Sequence, residues 1–346
     1  RFFINPRNGP MKTALRLFGF LCFLLVQPAL AQHKLGKRFN VWYFGQRGGI
    51  DFNGGPRAVT NGRINSATHE SCAAICDESG NLQFYTDGKD VWNRNHQLMA
   101  GLTDRADNLG GHWSSTQGSL IVPSPGSANL FFVFTASAVE ERNGALQVAE
   151  VDLARNGGLG EVTAKNRVLL PRAAEKILGI PHCNGTDYWI IAHEANTSRF
   201  AVFLVNSSGV QLQGSHSVGS VHSAGDDCVG HLKASSAGNK IAAALHGQGS
   251  VELFDFNNAT GEIKNPITLN APFTRSAYGL EFSPNGKWLY ISGSKGEKTL
   301  YQIDLSQTDR GALEASAIAL GKTNAQTLGA LQLGPDAKIY VANLTD

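Results

Sequence analysis

The feature that most constrains this chain is a unit repeated about every fifty residues. A polar turn leads at once into an apolar run, first as Ser79-Gly-Asn-Leu82-Gln-Phe-Tyr and then as Ser127-Ala-Asn-Leu130-Phe-Phe-Val. It returns as Gly185-Thr-Asp-Tyr188-Trp-Ile-Ile, Gly238-Asn-Lys-Ile241-Ala-Ala-Ala, Gly286-Lys-Trp288-Leu-Tyr-Ile and Asp336-Ala-Lys-Ile339-Tyr-Val. The first apolar residues fall at 82, 130, 188, 241, 288 and 339, with spacings of 48, 58, 53, 47 and 51. That pitch is the signature of a β-propeller. Each unit also holds the strands of a blade. Within 276–306, Tyr278–Phe282, Trp288–Ser292 and Thr299–Leu305 read as strands around the turn Ser283-Pro-Asn-Gly286, with an outer strand near Ala315–Leu320. The unit at 228–268 repeats this with His231–Ala234, Lys240–Leu245, Ser250–Phe256 and Pro266–Leu269. Two β-sandwiches would instead give two self-contained cores of about 100 residues. The expected fold is therefore all-β, a β-propeller of four-stranded antiparallel blades. Six blades, complete or partial, are visible and seven are expected in the full protein.

Composition agrees. The chain has 346 residues, 39 of them Gly and 12 Pro, and only 17% are charged. With 42% hydrophobic residues it is too apolar for intrinsic disorder, and its charge is too sparse for coiled coils. Glycine at many tight turns supplies positive φ without a Cβ clash. Phe39–Phe44 is a strand without a unit of its own and is the natural piece to close the ring. The last unit ends after one strand and a turn, so further C-terminal sequence is expected.

The N-terminus reads as an export leader. Residues 1–10 precede Met11 and are expected to be unstructured. Lys12 and Arg16 precede the apolar core Leu17–Val26, and Ala29-Leu30-Ala31 offers a small-x-small cleavage pattern that leaves Gln32 as the mature terminus. About ten apolar residues are too few for a membrane anchor. Secretion, or display on the outer cell surface, is the expected location. Residues 1–31 carry four basic residues and no acid, so the formal +2 of the chain becomes −2 in 32–346. A nearly neutral body lacks the basic footprint of a nucleic-acid binder or of a peripheral membrane protein. Four cysteines remain beyond Cys22. Cys72 and Cys76 lie about 13 Å apart on one strand, too far to bridge each other. Pairing with Cys183 or Cys228 stays open, but buried free thiols are expected over a disulfide or a zinc site.

A set of motifs resembles one family. Asn40-Val-Trp-Tyr-Phe-Gly with Asp51-Phe-Asn, and Phe84-Tyr-Thr-Asp-Gly88 followed by Val91-Trp-Asn-Arg-Asn-His96, are similar to the propeller of gliding-motility-associated bacterial surface proteins. So are Gly111-His-Trp-Ser-Ser-Thr-Gln117, Asn156-Gly-Gly-Leu-Gly160, Ser220-Val-His-Ser223 and Val251-Glu-Leu-Phe-Asp-Phe256, so that the resemblance covers roughly 39–345. It implies a large exported chain with PKD-type repeats after the propeller and a C-terminal domain sorted by type IX secretion. The family supplies no catalytic residues to carry over.

Three constellations are candidates for chemistry. Asp87, Trp92, Asn93 and His96 form a polar-aromatic hairpin of the kind that sugar- or peptide-binding rims use. His112, Ser114, Ser115 and Gln117 stand in a glycine-flanked loop that could bind a ligand, although no nucleophile elbow is present. His222, Asp226, Asp227 and His231 are the one set that could hold a divalent cation as cofactor, on a spacing that fits no regular metal motif. The function expected is a non-catalytic binding or structural platform of a larger adhesin-like protein, with a surface glycan or protein as ligand. The alternative is a lactonase-like or other hydrolase with a polar or metal site at the axial mouth. Enzymatic propellers need acids and histidines from several blades at one channel end, whereas here they cluster in two loops.

Overall fold

The computed structural model describes residues 36–65, 70–103, 107–141, 144–270, 277–293, 299–322 and 327–344. The leader, with the Ala31–Gln32 cleavage position, lies outside the described residues. The chain is a β-propeller whose six blades stand in a ring, each beginning with its innermost strand. An N-terminal sheet of β1 (Val41–Tyr43), β2 (Gly49–Asp51) and β3 (Arg57–Val59) precedes them. Blade I has β4 (Ala73–Cys76), β5 (Leu82–Thr86) and β6 (Val91–Asn93). Blade II runs β7 (Ser119–Pro123), β8 (Leu130–Ala136), β9 (Leu146–Asp152) and β10 (Glu161–Leu170). Blade III runs β11 (Ala173–Pro181), β12 (Tyr188–Glu194), β13 (Arg199–Asn206) and β14 (Gly209–Ser217). Blade IV has β15 (Leu232–Ala234), β16 (Lys240–Leu245), β17 (Ser250–Asn257) and β18 (Glu262–Leu269). Blade V has β19 (Ala277–Phe282), β20 (Trp288–Gly293), β21 (Thr299–Asp304) and β22 (Ile318–Lys322), and blade VI has β23 (Thr327–Leu333) and β24 (Ile339–Leu344).

The repeat landmarks mark the second strand of every blade. Five of them open it, and Ile241 is the second residue of β16. The turn before each landmark is set by short side chains. At Ser283–Gly286 the Gly286 N–H donates to the Ser283 carbonyl at 2.8 Å, with Gly286 at φ +68°. Ser235–Gly238 repeats this bond at 2.8 Å. Strand alternation then divides each blade between two neighbours. Ile190 and Ala192 of β12 pack with Phe132 and Phe134 of blade II, while Trp189 and Ile191 pack with Ile241 and Phe254 of blade IV. Residues buried on both faces are why these strands read as unbroken apolar runs rather than alternating ones. In blade V a short helix α1 (Arg310–Ala315), capped by the Asp309 carboxylate on the Ala312 N–H, precedes β22.

The expected closing piece lies where the ring needs it. Tyr43 of β1 stacks on Tyr85 of β5 at 4.5 Å, and Trp42 meets Tyr340 of β24 edge-on at 5.4 Å. The N-terminal sheet thus packs against the first and last blades. Among the described residues β1 pairs with β2 alone, so side chains rather than a shared ladder join it to blade VI. Cys72, Cys76, Cys183 and Cys228 are all free thiols.

Candidate functional site at the propeller axis

The inner strands, together with the N-terminal sheet and parts of β21, β22 and β24, line an open cavity of about 2270 Å³. At one end of it the starts of several inner strands bring polar side chains together. Tyr278, in β19, donates its hydroxyl to Glu70 Oε1 at 2.8 Å, linking residues 208 apart in sequence. Glu175 Oε2 accepts from the Thr116 N–H at 2.9 Å and its hydroxyl at 3.0 Å, and Oε1 accepts from the Val139 N–H at 2.7 Å. β11 shifts register between Ala173 and Ile177, a common feature beside sites. There Glu175 and Lys176 are both buried, Glu175 against Thr116 and Val139 and Lys176 against His222 and Asp227. His231, just before β15, sits with Nδ1 3.4 Å from both the N–H and the carbonyl of Leu280. Deeper in the cavity Lys233 donates to Glu281 at 3.0 Å and to Gln332 at 2.8 Å, tying β15, β19 and β23 together.

The electrostatics of this end are distinctive. Glu70 is an exposed residue that lines the cavity. Even so, protein crowding around its carboxyl pushes it up to about 7, the charges of Glu175 and Glu140 adding to the rise and the Tyr278 hydroxyl opposing it. Burial and then the Glu70 charge push the Tyr278 phenol upward. Burial, only partly offset by its three hydrogen bonds, also raises Glu175. Burial keeps His231 well below the usual imidazole range, with the Lys233 charge acting the same way, so it is neutral at pH 7. A carboxyl that titrates near neutrality, open to a cavity and oriented by a hydroxyl, can give or take a proton at working pH.

The residues picked from sequence are placed differently. Asp87 caps its own turn, accepting the N–H groups of Lys89 and Asp90 at 3.0 and 2.8 Å. Trp92 stacks on Tyr85 at 5.3 Å, Asn93 accepts the N–H groups of Asn95 and Gln97, and His96 bridges Asn61 and Tyr85. This hairpin packs blade I against the N-terminal sheet. His112 Nδ1 accepts the Ser114 N–H at 3.2 Å, so it is not aimed at a serine hydroxyl. Ser114 Oγ donates to Glu140, and Ser115 is fully buried. Of these eight residues only Gln117 lines the cavity, and it acts as a brace: its amide donates to the Leu232 carbonyl at 3.1 Å and accepts from the Leu232 N–H.

The proposed cation ligands do not converge. His222 is buried against His193, Asp227 accepts from Gln248 at 3.1 Å, Asp226 is exposed in a single helical turn, and His231 stands at the axis. Among the described residues no group of three His, Cys, Asp or Glu side chains could hold a metal ion. The expectation that acids and histidines fail to converge from several blades is corrected. Glu70, Glu175, His231 and Tyr278 come from blades I, III, IV and V and meet at one end. A signal was present in the repeat, since Glu70, Gln117, Glu175, His231 and Tyr278 each lie ten to thirteen residues before a landmark.

No protein-family model and no curated protein matches the chain. Solved structures do match in fold. A candidate 6-phosphogluconolactonase from Bacteroides uniformis superposes with a TM-score of 0.55 at 13% identity, over 86% of this chain and 84% of that one. One from Bacteroides fragilis gives 0.52 at 12% identity, over 85% and 83%. A Lactobacillus plantarum protein gives 0.50 at 12% identity, over 86% and 83%. At such identities the likeness is one of fold.

Proposed function

We propose that this chain is the ligand-binding propeller of an exported surface protein of the gliding-motility-associated kind, with its ligand seated at the axial end. The observation that carries this reading is the Tyr278–Glu70 hydrogen bond facing the cavity where four blades meet. The charge balance narrows the ligand to a neutral or cationic one. Of the lining cations near the axis, Arg57 is paired with Asp51 and Lys233 with Glu281, and Lys37 stands at the rim, whereas the Glu70 carboxyl faces the cavity with the buried Glu175 behind it. An anion such as a phosphorylated sugar would lose its hydration there without gaining a charge partner.

A second reading, a hydrolase of the lactonase type, draws support from Glu70. A carboxyl near neutrality could take the proton of a water attacking an ester carbonyl. The two Bacteroides propellers carry a lactonase description, which lends that chemistry a precedent on this fold. The experiment is proton release from an uncharged aldonolactone, followed with the wild-type chain and with Glu70→Gln, beside calorimetric titration with neutral sugars and polyamines. The binding reading expects heat of binding that Glu70→Gln diminishes, and no acceleration of ring opening. Acceleration that vanishes in Glu70→Gln would replace it with the hydrolase reading. No binding of either probe class and no turnover would refute both.

A further inference from the structure

A second buried polar cluster lies between blades III and IV and is not used by the axial reading. His193 of β12 and His222 of the segment entering blade IV stack face to face, ring centroids 3.5 Å apart and planes at 11°. Both are fully buried, and the edge of His193 is closed by Phe200 at 4.6 Å. His222 Nε2 and both nitrogens of His193 have no hydrogen-bond partner. Parallel stacked rings aim their lone pairs along parallel directions, so they do not converge on one ion. Lys176, also fully buried, reaches into the cluster from the register shift in β11, with Nζ 2.8 Å from the Asp227 carbonyl and 3.5 Å from His222 Nδ1.

An ammonium group only donates, so His222 Nδ1 must accept and the ring proton sits on Nε2. Nδ1 is therefore the one nitrogen of His222 that acid can protonate. A proton there removes the acceptor and sets two cations face to face where no water screens them. Glu252 of β17 offsets only part of this. Its Oε1 is held by the Ser220 N–H, the Ser220 hydroxyl and the Thr268 hydroxyl. Its buried Oε2, which has no hydrogen-bond partner, attracts the ring from 3.9 Å, beyond hydrogen-bond reach of His222 Nε2. The other charges nearby are committed elsewhere. Glu175 holds Thr116 and Val139, Asp227 accepts from Gln248, and Glu194 beside His193 is engaged by Arg199 and Arg172.

We propose that the His193–His222 stack with Lys176 is an acid-sensitive latch. Protonation of His222 drives Lys176 off the Asp227 carbonyl and frees the segment 218–231 from blade III, opening the axial mouth beside His231. The segment is suited to open alone, because its docking on blade III rests on a few bonds, such as Asn196 N–H to the His222 carbonyl and His222 N–H to the Thr197 carbonyl. Burial first, and then the Lys176 charge, holds His222 neutral near pH 7, and the same causes together with His222 itself hold His193 neutral. The device operates whatever the axial cavity binds.

The test is amide hydrogen exchange between pH 7.5 and 5.0, corrected for intrinsic rates, with peptides covering 218–231 and, as reference, 277–293. The wild type should lose protection in 218–231 by roughly tenfold or more per pH unit below about 6.5 while the reference holds, as expected when opening takes up a proton at His222 and exposes His231 to another. His222→Gln should reduce that dependence by about tenfold per pH unit. Lys176→Met should weaken it by removing the repelled cation. An unchanged pH profile in Lys176→Met, or protection lost equally in both peptides of the wild type, would overturn the latch. The second result can be read even if neither variant folds.

Discussion

Replacing Gln117 by leucine should unpick a joint between blades that are not neighbours. Gln117 precedes β7, yet its side-chain amide caps both the N–H and the carbonyl of Leu232 in β15, with β11 standing between. The His231 carbonyl accepts from the Ala244 N–H of β16 and its N–H donates to the Tyr278 carbonyl of β19, while both main-chain groups of Leu232 are taken by Gln117. Leu232 is fully buried, so no water replaces a lost partner. Leaving one buried donor and one buried acceptor unpaired costs about 1–3 kcal/mol each, and relief of the half-buried glutamine itself offsets part of that. Gln117→Leu should therefore destabilise the fold by about 2–4 kcal/mol. At about 1.5 °C per kcal/mol, from an unfolding entropy of about 2.1 cal/mol/K for each of roughly 310 residues, the melting point should fall by roughly 3–6 °C. Gln117→Glu should cost at least as much, since a carboxylate oxygen would face the Leu232 carbonyl. Urea unfolding followed by far-UV circular dichroism gives the number. A loss below about 0.5 kcal/mol in both variants, the scale of an ordinary surface change, would refute the brace.

Other consequences can be checked separately. His193, His222 and His231 are held neutral in the fold, so the unfolded chain binds more protons below about pH 6.5. Stability should then fall as pH drops, by up to about 4 kcal/mol per unit if all three contribute, and urea titrations at pH 7 and 5.5 that coincide would contradict this. Gly279 lies where β19 approaches β23, and a Cβ there would collide with the Gly329 carbonyl. Gly279→Ala should cost about 1–3 kcal/mol by thermal melting, with little effect if that approach is absent. Of the four described cysteines only Cys183 is exposed. Burial pushes the thiols of Cys76 and Cys228 up to about 12 and about 11, and raises Cys72 as well. A thiol reagent should modify Cys183 promptly, the half-buried Cys72 more slowly, and Cys76 and Cys228 only in denaturant, and prompt labelling of Cys76 in the native chain would count against the blade I packing.

The blades were legible because each repeats one local grammar. Ser or Asp opens a turn, Gly or Asn supplies its tight dihedrals, and an apolar run follows that is buried on both faces. Lys240–Leu245 could be bounded to the residue on those grounds. The site was much less legible, for a physical reason. Axial convergence is a property of where inner strands begin, and the residues found there share a position in the repeat but no chemical type. Glu70 and Tyr278 meet across 208 residues with no motif linking them. Lys176 reads as a surface lysine, yet it is fully buried where β11 shifts register. Conversely, the hairpin Asp87–His96 has the composition of a binding rim, but its polar atoms are consumed by its own turns.

The measurement that bears most directly on the axial site is the titration of the Glu70 carboxyl by carbon-13 NMR. It would be assigned with Glu70→Gln and repeated in Tyr278→Phe. A carboxyl raised in the fold favours its protonated form, so its contribution to stability is present below about 4.5 and is lost as pH rises through about 7. Crowding by the four converging blades should place the midpoint near 7, and Tyr278→Phe should move it higher by removing the donor that favours the charge. A midpoint near 4.5 that ignores Tyr278→Phe would mean that Glu70 is an ordinary solvated carboxylate and that no such axial site is assembled.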